Sequence, residues 1–229
     1  LLKLMGLELP VPDFSTLSRR AKGIAVEDTR PKSNGPVTLI VDSTGLKIHH
    51  GSGWQEAKHG TGKTRKSWRK LHIGYDPGSG ETVASLLTTE HVGDETALPE
   101  LIDGLDLPVA RVLADGAYDG TGVLDCLTEA FGTNVEIIIP PPKTAVFGLN
   151  DQRDAHIEHI ATHGRMAWQS ETGYNSRALV EAQIGRRKSV IGPGLKSREF
   201  DRQVTESMIA TKALNRMTAL GRAAFERVA

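Results

Sequence analysis

The chain has 229 residues, of which 38% are hydrophobic, with a single cysteine and 28 basic side chains balancing 28 acidic ones. That is enough chain to bury a core, and the composition excludes a disordered polymer, an internal disulfide and a cysteine-built zinc site. No apolar run approaches the ~18 residues that span a bilayer, and no signal peptide is recognisable, so a reducing, cytoplasmic setting is expected.

The zero net charge conceals a segregated pattern. From Gly45 to Lys70, Glu56 alone opposes Lys47, Lys58, Lys63, Arg65, Lys66, Arg69 and Lys70. From Asp76 to Asp106 there are eight acidic residues and no Lys or Arg, and from Arg177 to Arg202 seven basic residues stand against three acidic ones. Local basic patches can bind a polyanion although the total cancels, while the same runs also read as solvated surface.

In chain order, Asp13 or Ser15 is positioned to cap a short helix through Arg20. Val37 to Val41 is an unbroken apolar run suited to a strand buried on both faces, and it ends at Asp42. Gly51 to Ser67 is glycine-rich and basic, hence a loop. Trp68 to Tyr75 and Glu81 to Thr89 read as strands around the turn Asp76-Pro77-Gly78-Ser79-Gly80. Asp94 can cap a helix through Ile102, with Pro99 tolerated only near its first turn. Arg111 to Ala114 is a second buried strand, ending at Asp115; Gly122 to Phe131 is a helix and Val135 to Ile139 a third apolar strand. Helical signals return over Thr172 to Gly185 and from about Phe200 to Arg227. The order of elements predicts an α/β fold of ribonuclease-H-like type, a mixed sheet flanked by helices.

Asp42 and Asp115 each close a predicted buried strand, and open α/β sheets bind ligands at the carboxyl ends of their strands. Either Asp alone also reads as a turn or helix cap. Tyr174, Arg177, Glu181 and Lys188 form a third feature. At about 100° per residue, one helix through them would gather all four within about 60° of its circumference. Leu179, Val180 and Ile184 would then face the sheet, and Gly185 is where the helix would end or bend. The spacing alone equally describes a solvated face with an Arg–Glu pair four residues apart.

Taken together, these residues resemble a known family. Tyr174, Arg177, Glu181 and Lys188 have the spacing of the Y-R-E-K signature of insertion-sequence DDE transposases of the IS-four and IS-five branches. Val41-Asp42-Ser43-Thr44-Gly45-Leu46-Lys47 and Leu113-Ala114-Asp115-Gly116-Ala117-Tyr118-Asp119 resemble its two aspartate motifs, and Trp68-Arg69-Lys70-Leu71-His72 resembles the strand after the first. Ile191-Gly192-Pro193-Gly194-Leu195-Lys196 and Leu214-Asn215-Arg216-Met217 resemble its tail. The resemblance runs from about Leu7 to Gly221.

The resemblance implies that Asp42, Asp115 and Glu181 are catalytic and hold two Mg²⁺ ions, with Mn²⁺ able to substitute. Oxygen-only ligands suit such hard ions. It further implies that the enzyme cuts transposon ends and transfers the strand into target DNA. Double-stranded DNA is then the partner, with a homodimer acting on paired ends and a nucleoid-associated bacterial setting. Arg177 and Lys188 would hold phosphates, Tyr174 would touch the backbone or support its helix, and Lys63, Arg65 and Lys66 would touch DNA from the basic loop. Residues 1–36 are expected to be the remnant of a DNA-end-binding helical region, and residues 37–229 the catalytic domain with its C-terminal helix. A catalytically silent DNA-binding descendant and a purely hydrolytic ribonuclease-H-like nuclease are the alternatives.

Other motifs are weaker. Gly60-Thr61-Gly62-Lys63-Thr64 lacks the leading glycine of a phosphate loop, since Ala57 stands there. His49, His50, His59, His72 and His91 do not fall at zinc-ligand spacing. His72 is read as structural, Trp168 as a core residue and Asp94 as a helix N-cap.

Overall fold

The computed structural model describes residues 6–22, 35–48 and 68–221. Lys63, Arg65, Lys66 and the rest of the predicted basic loop lie outside them, as does the predicted helical stretch beyond residue 221.

The elements are α1 (Phe14–Arg20), β1 (Val37–Ile48), β2 (Trp68–Asp76), β3 (Glu81–Thr89), α2 (Asp94–Ile102), β4 (Val109–Leu113), α3 (Thr121–Phe131) and β5 (Glu136–Ile138). They are followed by α4 (Asp151–His163), α5 (Arg165–Glu171), α6 (Ala178–Val190), β6 (Gly194–Leu195) and α7 (Phe200–Ala219). Short 3₁₀ turns at Gly116–Tyr118 and Tyr174–Arg177 connect some of them. The sheet runs β3-β2-β1-β4-β5. β1, β2 and β3 are antiparallel neighbours, whereas β4 and β5 run parallel to β1. It is a mixed sheet flanked by helices, compatible with a ribonuclease-H-like fold.

Alternation along β1 sorts its side chains between two cores. Leu39 and Val41 face α2 and α3, packing with Leu98, Leu101, Val123, Leu124 and Leu127. Ile40 and Leu46 face the other way, toward Trp168 of α5 and Val180 of α6. Each such aliphatic side chain, once buried, stabilises the fold by about 1.5–3 kcal/mol. The edge strand β3 is covered by α7, where the Asn215 side chain accepts from the Thr82 N–H at 2.9 Å and donates to the Thr82 carbonyl at 2.8 Å. That pairing satisfies backbone groups an open edge would leave exposed. No helix among the described residues is long and apolar enough to cross a membrane.

The structure corrects several expectations. β1 does not end at Asp42 but continues to Ile48, because its antiparallel ladder with β2 extends to Lys47 opposite Trp68. The helix cap at residue 93 is Gly93, with Asp94 inside the first turn of α2 and its carboxylate turned to Lys70 at 3.1 Å and His72 at 3.2 Å. Pro99 lies beyond the first turn of α2. The carbonyl it fails to bond belongs to exposed Glu95, where water can serve instead. Helices α4 and α5 and the two-residue strand β6 were not anticipated. Their apolar periodicity is weak: among the residues of α4 only Arg153 is fully buried, and of α5 only Trp168.

Candidate active site

The register of β1 against β4 brings the two aspartates together. Ile40 lies beside Leu113, the last residue of β4. Two residues further along each chain come Asp42 and Asp115, so Asp42 lies beside the carboxyl end of the parallel strand although it is inside its own. Leu113 belongs to the core on the α6 side and Ala114 to the opposite core, so alternation returns Asp115 to the face of Ile40 and Asp42.

Each aspartate is oriented by the chain just after it. Asp42 Oδ1 accepts from the Ser43 N–H at 2.8 Å, and Asp115 Oδ1 accepts from the Ala117 N–H at 2.9 Å. Their remaining oxygens converge on one guanidinium. Arg177 Nη2 stands 3.0 Å from Asp42 Oδ2 and 3.5 Å from Asp115 Oδ2, while Nη1 donates to Glu181 Oε1 at 2.7 Å. A side chain at Gly116 would press on the Pro140 carbonyl, its Cβ falling 3.2 Å from that oxygen. Glycine thus lets the loop after β5 close over the turn that carries Asp115.

The helical stripe is assembled differently from the sequence expectation. Gly173, at φ 68°, turns the chain out of α5 into the 3₁₀ turn Tyr174–Arg177, and α6 begins only at Ala178. Tyr174 is therefore not on one α-helix with Glu181. Its ring lies 5.1 Å from that of Trp168. Helix α6 runs through Gly185 without interruption to Val190. Val180 and Ile184 do face the sheet, but Leu179 is exposed. Lys188 is half-buried and makes no ion pair with any of the three carboxylates. The Arg177–Glu181 pair at spacing four is present, joined by two aspartates that spacing could not reveal.

Burial pushes the Asp42 carboxyl above the ordinary range, against the opposing pull of the Ser43 N–H and Arg177. Burial also opposes the charge on Arg177, but Asp42, Tyr174, Asp115 and Glu181 outweigh it and hold the guanidinium firmly protonated. Arg177 and Asp42 are mostly buried, with side chains 17% and 12% exposed, whereas Asp115 is 37% and Glu181 60% exposed. The site therefore opens toward solvent on its Asp115 and Glu181 side.

Supporting residues come largely from α4 and α5, which the sequence did not reveal. Trp168 is fully buried, as expected, and its Nε1 donates to His156 Nδ1 at 3.0 Å. His156 Nε2 then donates to the Ile137 carbonyl at 2.9 Å, tying α4 and α5 to β5. Arg153 grips Asp119, four residues after Asp115. His72 is a buried structural residue bonded through Nε2 to Thr88 Oγ1 at 2.9 Å.

Among the described residues, no group of three or more His, Cys, Asp or Glu side chains is arranged to hold a metal ion. Where the three carboxylates converge, the cation between them is Arg177. The donor set itself fits a hard divalent ion, being oxygen-only, acidic in sum and already drawn around a positive charge.

The fold and this site together define an α/β domain with an acidic centre at the carboxyl edge of its parallel strands. Residues 33–216 match the family model described as "Transposase DDE domain", and residues 1–51 match a second model of the same description. The chain belongs to the DDE transposase domain family, a family of transposase and nuclease enzymes that act on DNA and generally use divalent metal ions.

Proposed function

We propose that this chain is the catalytic part of an insertion-sequence transposase of the IS-four/IS-five branch, cutting transposon ends and joining them to target DNA. The observation that carries the reading is the convergence of Asp42, Asp115 and Glu181 on one cation, from three separate segments of the chain. Cleavage adds water across a phosphodiester, forming one P–O bond, breaking the bond to the 3′-oxygen and leaving a 3′-hydroxyl and a 5′-phosphate. In strand transfer that 3′-hydroxyl attacks a target phosphodiester, whose own 3′-oxygen leaves with the proton. One P–O bond replaces another, so no further energy source is needed.

Asp42, Asp115 and Glu181 would hold two Mg²⁺ ions, with Mn²⁺ as a substitute, which activate the attacking oxygen and offset charge on the leaving one. Asp42 and Asp115, each braced through Oδ1 by a backbone N–H, keep their second oxygens aimed into the site. Arg177 and Lys188 would hold phosphates next to the scissile bond, and Tyr174, packed on Trp168, would support that turn or touch the DNA backbone. Lys63, Arg65 and Lys66 would add phosphate contacts. In this reading residues 1–36 belong to a DNA-end-binding region and residues 37–229 to the catalytic domain, working as a homodimer on paired ends in a bacterial cytoplasm.

The test is cleavage of labelled DNA bearing the element's ends, with Mg²⁺, Mn²⁺ or chelator. Metal-dependent nicking at the ends, abolished in Glu181→Ala and Asp115→Ala while DNA binding persists, is expected. Tight DNA binding without nicking under any metal would instead identify a catalytically silent descendant.

A further inference from the structure

Arg177 has the position and the bonds of a counterion. It reaches the free oxygens of Asp42 and Asp115 and one oxygen of Glu181, so all three proposed metal ligands are engaged by one side chain. Its own bonding is incomplete: Nε is buried and without a hydrogen-bond partner. Three carboxylates against one guanidinium also leave the cluster acidic, so the resting arrangement satisfies neither side fully. Arg177 sits at the junction of a 3₁₀ turn with α6, a place where local backbone adjustment is common.

We infer that Arg177 is a stand-in cation that couples metal loading to DNA binding: it pairs with the three carboxylates in the resting protein and releases them when a DNA phosphate takes its guanidinium. The inference rests on the proposed function, because it takes the three carboxylates as metal ligands. A divalent ion drawn to the same oxygens would lie close to the guanidinium, and the two like charges would compete for them. Once the carboxylates turn to a divalent ion, Arg177 stands beside like charge and needs another anion. A phosphodiester supplies one, with oxygens suited to the planar guanidinium fork. By linkage, DNA that binds Arg177 raises metal affinity, and metal raises DNA affinity by the same factor. The device would keep the site unloaded until DNA is in place, limiting stray nicking.

The experiment measures Mn²⁺ binding by the full, chelator-stripped chain, using the free-Mn²⁺ paramagnetic resonance signal, with and without a short random-sequence duplex. Wild type should bind Mn²⁺ weakly alone and at least about fivefold more tightly with DNA. Arg177→Gln should bind at least about fivefold more tightly than wild type without DNA, and gain little when DNA is added. Arg177→Lys, which keeps the charge without the fork, should fall between them and guards against a misfolded Gln variant. Arg165→Gln removes a nearby guanidinium that bonds the Pro141 carbonyl instead, and should gain less than Arg177→Gln. Equal gains in both Gln variants would reduce the effect to net charge and overturn the inference. Mn²⁺ binding that is lost in Asp42→Asn yet unchanged or weakened in Arg177→Gln would overturn it while leaving the proposed function standing. No Mn²⁺ binding by any form, with or without DNA, would overturn both.

Discussion

Arg153 lies edge-on to Asp119, donating from Nε to Oδ1 at 2.8 Å and from Nη2 to Oδ2 at 2.9 Å, with both side chains almost wholly buried. Its third bond, from Nη1 to the Val146 carbonyl at 2.8 Å, reaches the loop beyond β5. One guanidinium thus ties helix α4, that loop and the segment four residues after Asp115. Removing one partner strands the other charge in the interior. Arg153→Ala should therefore destabilise the fold by about 3–5 kcal/mol, read as a lower midpoint in urea unfolding at unchanged slope. A loss under about 1 kcal/mol would mean that the pair contributes no more than a surface bridge.

Asp42, as a buried carboxylate, works against the fold. Its folded carboxyl is raised, chiefly by burial, so the native state binds that proton more tightly than the unfolded chain does. The penalty is absent below the unfolded carboxyl range, grows as pH rises from there toward the folded value, and is complete above it. Asp42→Asn should therefore melt roughly 2–4 °C higher than wild type in chelator at pH 7, equivalent to about 1 kcal/mol. Added Mn²⁺ should raise the melting temperature of wild type and leave the variant unmoved. A lower melting point for the variant in chelator would show that the ion pair with Arg177 outweighs the cost of burial.

His72 predicts an acid limb. Burial lowers its imidazole below the usual value, Asp94 opposes that shift, Lys70 reinforces it, and burial dominates. Between the folded value and about 6.5 the unfolded chain binds the proton that the native state refuses, so stability falls as pH drops through that window. The slope attributable to one proton is at most about 1.4 kcal/mol per pH unit. Chemical-denaturation profiles from pH 8 to 5 should show it in wild type and a shallower limb in His72→Gln. Identical profiles would assign the acid sensitivity to other groups.

Gly74 fills a place where the sheet has no room. A Cβ there would fall 2.9 Å from Leu39 Cδ1 and 3.2 Å from Ala84 Cβ, and Leu39 is fully buried. Gly74→Val should cost about 1–3 kcal/mol of stability through overpacking. Gly122, on the exposed start of α3 with open space around it, is the matched control, where Gly122→Ala should be neutral or stabilising. Equal effects at both positions would refute the steric account.

Strands were the most legible part of the chain. The runs at residues 37–41, 68–75, 81–89 and 111–114 are apolar or β-branched enough to be read directly, and the turn at residues 76–80 fixed the hairpin between two of them. Helices α4 and α5 were not legible, because they bury a mixture of polar and aromatic groups, Arg153 and Trp168 among them, in place of an apolar stripe. The break between Tyr174 and α6 was hidden for a related reason. A 3₁₀ turn and an α-helix share the same local composition, and here one passes into the other at Arg177–Ala178 with no glycine or proline to mark the junction.

The sequence by itself determined the fold class and the family, and singled out three acidic residues as candidates, since each of these rests on local pattern and order along the chain. Their convergence was decided by tertiary structure alone. Asp42 and Arg177 are 135 positions apart, and their 3.0 Å contact exists only because β4 stops where β1 continues and the turn before α6 docks on that edge. The choice of Arg177 as the cation between the carboxylates follows from the same cause: in a partly buried site, charge is neutralised by whichever opposite charge the packing brings within reach.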